Sequence, residues 1–308
     1  MSLAFVFPGQ GSQSIGMLAD LASHYPLVQE TFNEASQVLD YDLWTLSQEG
    51  PEQELNQTHI TQPALLAAGI AVWRVWQEKG GAQPSVMAGH SLGEYTALVA
   101  AGAMRFADGI ALVADRGRFM QEAVPAGEGA MAAILGLDDD KVIAICEQAA
   151  QGEVVSAVNF NSPGQVVVAG TSSAVDRAIE LAKEAGAKRA LKLAVSAPSH
   201  CALMQPAAER LAERLQGIDI SAPSIPVINN ADVATPDSPD AIRDALVRQL
   251  HSPVRWVQSV QKMAADGVDH LIECGPGKVL VGLNKRIDKT MNAAAVFDSA
   301  TLDAALAE

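Results

Sequence analysis

The order of apolar runs along the chain predicts an α/β fold: a parallel sheet covered by helices on both faces, interrupted by a smaller unit of order βαββαβ. Three observations carry the prediction. Short strand-like runs alternate with longer amphipathic stretches toward both ends of the chain, the pattern of a parallel sheet with crossover helices. Between residues 127 and 196 the order changes to strand, helix, strand, strand, helix, strand. Gly89-His90-Ser91-Leu92-Gly93 stands where an apolar run gives way to a helix-like one, a strand-to-helix turn with glycine on both sides of a serine. With 308 residues, 49% of them hydrophobic, the chain can bury a substantial core.

Residues 3–7 are continuously apolar and end at Pro8-Gly9-Gln10-Gly11, which predicts a buried strand and a glycine-rich turn into a helix near Ile15. Helical spacing spans 26–39. A longer helix is predicted to start at Thr61-Gln62-Pro63, with proline near the first turn where its missing N–H does little harm, and to stop at Gly80-Gly81. A strand at 86–88, the serine turn and a helix over 92–101 follow, then a helix over 107–122 that ends before Pro125 and Gly127. The inserted unit has strands at 130–135, 154–159, 165–169 and 189–195 and helices at 138–150 and 174–185. Beyond His200 come helices at 207–215, 241–250 and 254–266 and strands at 226–229 and 270–273, with 235–240 as a surface loop. The expected organisation is a discontinuous, α/β-hydrolase-like core from 1–126 and 197–308, and a ferredoxin-like subdomain from 127–196.

Composition excludes several function classes. The formal net charge of −15 opposes binding to nucleic-acid phosphates or an anionic membrane. Lys188-Arg189 with Lys192, and Lys285-Arg286, are compact basic exceptions, either solvated ends of elements or a docking site. Three widely spaced cysteines, Cys146, Cys201 and Cys274, fit a reducing compartment and lack metal-ligand spacing. The N-terminal run has no basic leader and reaches Pro8 too soon for a signal peptide, and the apolar stretch 64–76 is short and carries Arg74. A soluble, cytoplasmic protein is expected.

The chemistry centres on Ser91. Flanking glycines permit a tight strand-to-helix turn in strained geometry, where a Cβ two residues away would collide, and the following helix points its free N–H groups at charge forming beside the serine oxygen. A serine hydroxyl needs a base. His200 is the candidate, because Pro198 fixes the backbone where the chain returns from the small unit to the large one. His24, His59, His251 and His270 lie in polar or helical surroundings. His90 adjoins the serine with its side chain directed away, so substrate contact suits it better than base work. Any of the acids between Ser91 and His200 could orient the imidazole. The Gly9-Gln10-Gly11-Ser12 turn could supply a second oxyanion donor beside the Leu92 amide. It lacks the spacing of a dinucleotide fingerprint, and Gly275-Pro276-Gly277-Lys278 lacks the Ser or Thr of a phosphate loop. Arg116 and Arg118 compete as the cation of the site.

Phe7-Pro8-Gly9-Gln10-Gly11-Ser12-Gln13, Thr61-Gln62-Pro63-Ala64, Gly89-His90-Ser91-Leu92-Gly93-Glu94-Tyr95, Arg116-Gly117 with Met120-Gln121, Asn159-Phe160-Asn161-Ser162-Pro163-Gly164-Gln165, Pro198-Ser199-His200 and Glu273-Cys274-Gly275-Pro276-Gly277 together resemble the bacterial malonyl-CoA:acyl carrier protein transacylases. The motifs run almost end to end and keep the family's order. The resemblance implies a two-step acyl exchange serving fatty acid biosynthesis. Ser91 attacks the malonyl thioester of coenzyme A, His200 accepts and returns the proton, and the phosphopantetheine thiol of an acyl carrier protein takes the acyl group.

It further implies that main-chain carbonyls near Gln249 hold the other ring nitrogen of His200, so that no acidic third member is needed, and that the amides of Gln10 and Leu92 form the oxyanion hole. Arg116 becomes the seat of the free malonyl carboxylate, which a planar guanidinium can hold with two parallel hydrogen bonds. Gln62, His90 and Asn159 become substrate-binding residues. Because carrier proteins are acidic, Lys188, Arg189, Lys285 and Arg286 become the docking candidates. No permanently bound cofactor, no metal, a coenzyme A thioester substrate and a monomer are expected. Cys274 stands where relatives often carry valine and reads as packing. Ser199, just before the base, leaves the acyl range open. A serine esterase or thioesterase using the same turn, and a non-catalytic carrier-binding module, are the alternatives.

Overall fold

The computed structural model describes residues 2–195 and 197–307; the expected subdomain limit at residue 196 lies outside them. Among the described residues the strands are β1 (Leu3–Phe7), β2 (Val86–Gly89), β3 (Gly129–Leu135), β4 (Val155–Ser162), β5 (Gln165–Thr171), β6 (Arg189–Lys192), β7 (Val227–Ile228), β8 (His270–Cys274) and β9 (Asn292–Val296). They form two sheets in an α/β fold. The first is parallel throughout, in the order β7-β2-β1-β8-β9. The second is antiparallel, in the order β4-β5-β3-β6.

The uninterrupted apolar run of β1 has a direct cause: it is the middle strand of a sheet buried on both faces. Side chains alternate across a strand, so Leu3, Phe5 and Phe7 enter one core while Ala4 and Val6 enter the other. Phe5 meets the edges of Trp73 and Trp76, each with ring centroids 5.2 Å apart, which ties the sheet to the helix Thr58–Glu78. In the second sheet, Ala132, Ile134, Val166, Val168 and Ala190 face the helices Asp139–Ala150 and Ser172–Glu184. Met131, Val167 and Ala169 face the other way and pack with Cys201, which lies beyond the second sheet's last strand.

The structure departs from the sequence reading in places. The segment around Ile15 is turn, not helix; Gly11 and Gly16 take positive φ there, and the first helix begins only at Ala19. The helix predicted from Thr61 starts at Thr58, so Pro63 is interior and one helical hydrogen bond is missing in an otherwise buried helix. β6 stops at Lys192, and residues 193–195 leave the sheet, exposed. The helices Leu43–Glu49, Glu52–Leu55, Val279–Ile287 and Ser299–Leu306, and strand β9, have no counterpart in the reading. The last helix carried a signal nonetheless, because Asp298 and Thr301 form a capping box.

Candidate active site

Ser91 joins β2 to the helix Leu92–Ala100 with φ 52° and ψ −106°. Only glycine fits on either side. A Cβ on Gly89 would lie 1.8 Å from the carbonyl carbon of Gly93, and one on Gly93 would lie 2.0 Å from the carbonyl oxygen of Phe7. Asn230, just past β7 and fully buried, clamps the turn from both ends: its Nδ2 donates to Gly89 O and its Oδ1 accepts from the Ser91 amide, each at 2.7 Å.

The Ser91 hydroxyl is 2.7 Å from His200 Nε2, and His200 Nδ1 is 2.8 Å from the main-chain oxygen of Gln249. A carbonyl oxygen only accepts, so Nδ1 carries the ring hydrogen and Nε2 offers its lone pair to the serine. Among the described residues no acidic group hydrogen-bonds to this imidazole. His200 itself has a φ of 67°, and its amide donates to Leu250 O at 3.0 Å. Burial and then the Arg116 cation push its pKa down to about 3, so the ring is neutral at ordinary pH.

Arg116, on the helix Phe106–Ala123, is 1% exposed. Its Nη1 donates to Gln62 Oε1 at 2.8 Å, and its Nη2 donates to Gln249 Oε1 at 3.0 Å and to Ser91 Oγ at 3.2 Å. Gln249 Nε2 donates in turn to Ser91 O at 3.0 Å and to the Glu94 carboxylate at 2.8 Å. Arg118, the competing cation, pairs with Asp115 on the surface at 2.7 Å. Among the described residues the amides of Gln10 and Leu92 donate to no protein acceptor. Both residues line one cleft of about 280 Å³ with Ser91, His200, Arg116 and Asn159.

His90 also lines this cleft, and its Nε2 is 2.7 Å from Asn161 Oδ1. Burial lowers its pKa. Asn159 Oδ1 is buried and, among the described residues, has no partner. Cys201 is a thiol, not a competing nucleophile: burial raises its pKa to about 11 and its Sγ donates to Pro198 O. Cys274 is fully buried with its pKa raised well above the ordinary thiol range, which makes it packing. Among the described residues there is no grouping of three or more His, Cys, Asp or Glu able to hold a metal, and no helix long and apolar enough to cross a membrane.

The four basic positions far apart in sequence come together at one end of the second sheet. Arg286 Nη1 donates to Gln165 Oε1 at 2.9 Å, and Gln165 shares a register row with Leu135 and Arg189. Lys188 and Lys285 are the sequence neighbours of this pair, and all four are exposed. Lys192 is drawn off to Asp176 at 2.9 Å. Met131, which lines the cleft, is four residues from Leu135 on β3, so the basic end lies roughly 13 Å from it along the strand. Two residues of the serine network, Asn230 and Glu94, escaped the sequence reading. Glu94 follows the serine by three positions within the run Gly89 to Tyr95; Asn230 stands in no motif.

A profile of the acyl transferase domain matches residues 4–302. The malonyl CoA-acyl carrier protein transacylase of Escherichia coli strain K12 is 63% identical over 303 residues, covering 98% of each chain. Its counterpart in Bacillus subtilis strain 168 is 48% identical over 307 residues, 99% of this chain and 96% of the other. Among solved structures, an acyl carrier protein S-malonyltransferase from Vibrio cholerae superposes with a TM-score of 0.97 at 63% identity over 99% of both chains. A malonyl-transacylase in complex with its type II PKS acyl carrier protein superposes with a TM-score of 0.99 at 61% identity, covering 100% of this chain and 99% of that one.

Proposed function

The chain belongs to the acyl transferase family, and from that premise we propose that it moves a malonyl group from coenzyme A to the phosphopantetheine thiol of an acyl carrier protein, through a malonyl ester on Ser91. The observation that carries this reading is one oxygen with two partners: Ser91 Oγ lies 2.7 Å from a neutral imidazole and 3.2 Å from a buried guanidinium. A base and a carboxylate receptor on the same nucleophile fit a diacid half-thioester.

In the first half-reaction His200 Nε2 takes the hydroxyl proton as Ser91 Oγ attacks the thioester carbonyl. The amides of Gln10 and Leu92 hold the resulting oxyanion, and removing one such donor commonly costs about 10²- to 10³-fold in rate. Coenzyme A departs as its thiol with the proton from His200. In the second half the carrier thiol gives its proton to His200 and attacks the malonyl ester, and Ser91 regains its hydrogen. Gln249 positions the base through its carbonyl and Arg116 through its side chain. Arg116 holds the malonyl carboxylate, and an uncharged acyl group leaves that cation unpaired at a cost of a few kcal/mol. Gln62, His90 and Asn159 shape the substrate site; the buried Asn159 Oδ1, without a partner among the described residues, supports this role.

The organisation proposed with this activity is an α/β-hydrolase-like catalytic core of 1–126 and 197–308 carrying a ferredoxin-like subdomain over 127–196. The strand order β4-β5-β3-β6, with both helices on one face, supports the second label. The enzyme works in the cytoplasm for fatty acid biosynthesis, as a monomer, with no permanently bound cofactor, and docks the carrier on Lys188, Arg189, Lys285 and Arg286.

Intact-mass spectrometry after mixing with malonyl-CoA tests the reading. One malonyl adduct should form, persist in water, and vanish when carrier protein is added; Ser91→Ala should form none. An adduct lost in water without a thiol marks an esterase or thioesterase. Unchanged turnover in Ser91→Ala marks a carrier-binding module.

A further inference from the structure

One acid behind Ser91 is left unused by the transfer steps. Glu94, on the first turn of the helix Leu92–Ala100, is 2% exposed, and its Oε2 accepts from the Asn230 amide and from Gln249 Nε2, both at 2.8 Å. Gln249 presents its other end, Oε1, to Arg116 at 3.0 Å. A cation thus sits on the oxygen side of one amide and an anion on its nitrogen side, which leaves that amide a single favourable orientation. Among the described residues Arg116 forms no ion pair, and each of the two charges stabilises the other at a distance.

Resting on the reading of Arg116 as the seat of the substrate carboxylate, we propose that Glu94 is a positioning residue that sets affinity for the diacid: it competes, across the Gln249 amide, with the incoming carboxylate for the one guanidinium. In the empty site one buried positive charge faces one buried negative charge. A malonyl group adds a second negative charge, which Glu94 repels; an acetyl group adds none. The charged and titratable groups facing Glu94 are Arg116 from the helix Phe106–Ala123, Asp232 from the turn after β7, and Tyr95 beside it on its own helix. Burial lifts Glu94 to about 7, so near neutrality it can shed its charge by taking up a proton when the diacid arrives.

Glu94→Gln retains an acceptor oxygen for both donors and removes only the charge. With Ser91→Ala protein to prevent turnover, calorimetric titration gives the affinities for malonyl-CoA and acetyl-CoA. At pH 8, one unit above the value near 7 to which burial lifts Glu94, adding Glu94→Gln should raise the malonyl-to-acetyl affinity ratio about ten-fold, the cost of protonating that acid when the diacid binds. A ratio that stays or falls overturns the proposal, because lost structural support weakens both thioesters alike. Should the double variant not fold, the Ser91→Ala protein supplies the second measurement. Titrated near pH 7 in buffers of different ionisation heat, it should take up more protons with malonyl-CoA than with acetyl-CoA; equal uptake overturns the proposal. Arg116→Ala separates the two ideas. If it abolishes the preference for malonyl-CoA, the carboxylate seat stands whatever Glu94 does; if the preference survives, seat and proposal fall together.

Discussion

Ser91 and His200 share a conformation that side chains rarely adopt, with φ of 52° and 67°. Such strain persists only where surrounding contacts over-determine it: the Asn230 clamp at one residue and the Leu250 carbonyl at the other supply them. Two of the buried ionisable residues of the site, His200 and Glu94, pull stability in opposite directions with pH. His200 falls from 6.5 to about 3 on folding, so the unfolded chain binds the extra proton between those values and stability is lost as pH falls through them. Glu94 rises from 4.5 to about 7, so the folded chain binds the extra proton and stability is lost as pH rises through that range. Between 4.5 and 6.5 the two largely offset each other. Relative to the parent, Glu94→Gln should therefore gain thermal stability on going from pH 4.5 to pH 8, and His200→Gln should gain on going from pH 8 to pH 4, by as much as a few kcal/mol each. Melting curves at these three values check both signs. Cys201→Ala, at a buried neutral thiol, should keep the acyl-enzyme yield of the parent when assayed by intact mass.

The element that fixes the chemistry is the turn between β2 and the helix Leu92–Ala100, and it was readable from the chain because steric exclusion writes itself as glycine. Alanine at Gly93 would put a Cβ 2.0 Å from a carbonyl of the neighbouring strand β1, which cannot rotate away. Gly93→Ala should cost about 1–3 kcal/mol of stability and most of the malonyl-enzyme formation rate, measured by denaturant melts and by rapid-quench mass spectrometry. The strands other than β9 and the longer helices were equally readable, since burial on two faces or one leaves a run or a period. The pairing of Ser91 with His200, 109 positions apart, followed from chemical need rather than pattern. What stayed hidden was set by tertiary contact. Asn230 holds the turn through a hydrogen-bond geometry that no local spacing announces. The start of the helix at Thr58 is decided by packing, where Gly117 lets the helix Phe106–Ala123 press against His59. Burial of residues 3–7 revealed a strand, but nothing in residues 292–296, only partly buried at the sheet edge, marked β9.

At the scale of the whole molecule the difficulty is charge. Under the proposed function a body of net charge −15 receives a carrier protein expected to be acidic; at long range two such bodies repel, so docking depends on a local field of opposite sign reaching out about a Debye length, ~8 Å at physiological salt. In the proposed docking role that field comes from residues far apart in the chain. Lys285 and Arg286 ride on a helix packed near the parallel sheet, while Arg189 begins β6 with Lys188 just before it, and the Arg286–Gln165 hydrogen bond joins the two groups. None of the four lines the cleft with Ser91, so under the proposed function docking and chemistry use different residues: coenzyme A delivers malonyl without a protein attached, whereas the carrier must land. Charge reversal at all four positions should therefore leave the rate of malonyl-Ser91 formation from malonyl-CoA intact and raise KM for carrier protein by an order of magnitude or more, chiefly through slower association. The salt dependence should invert as well: added salt weakens docking in the parent by screening attraction, and should aid it in the reversed variant by screening repulsion. Stopped-flow transfer kinetics at low and high salt check both. An unaltered KM would place carrier recognition elsewhere on the surface.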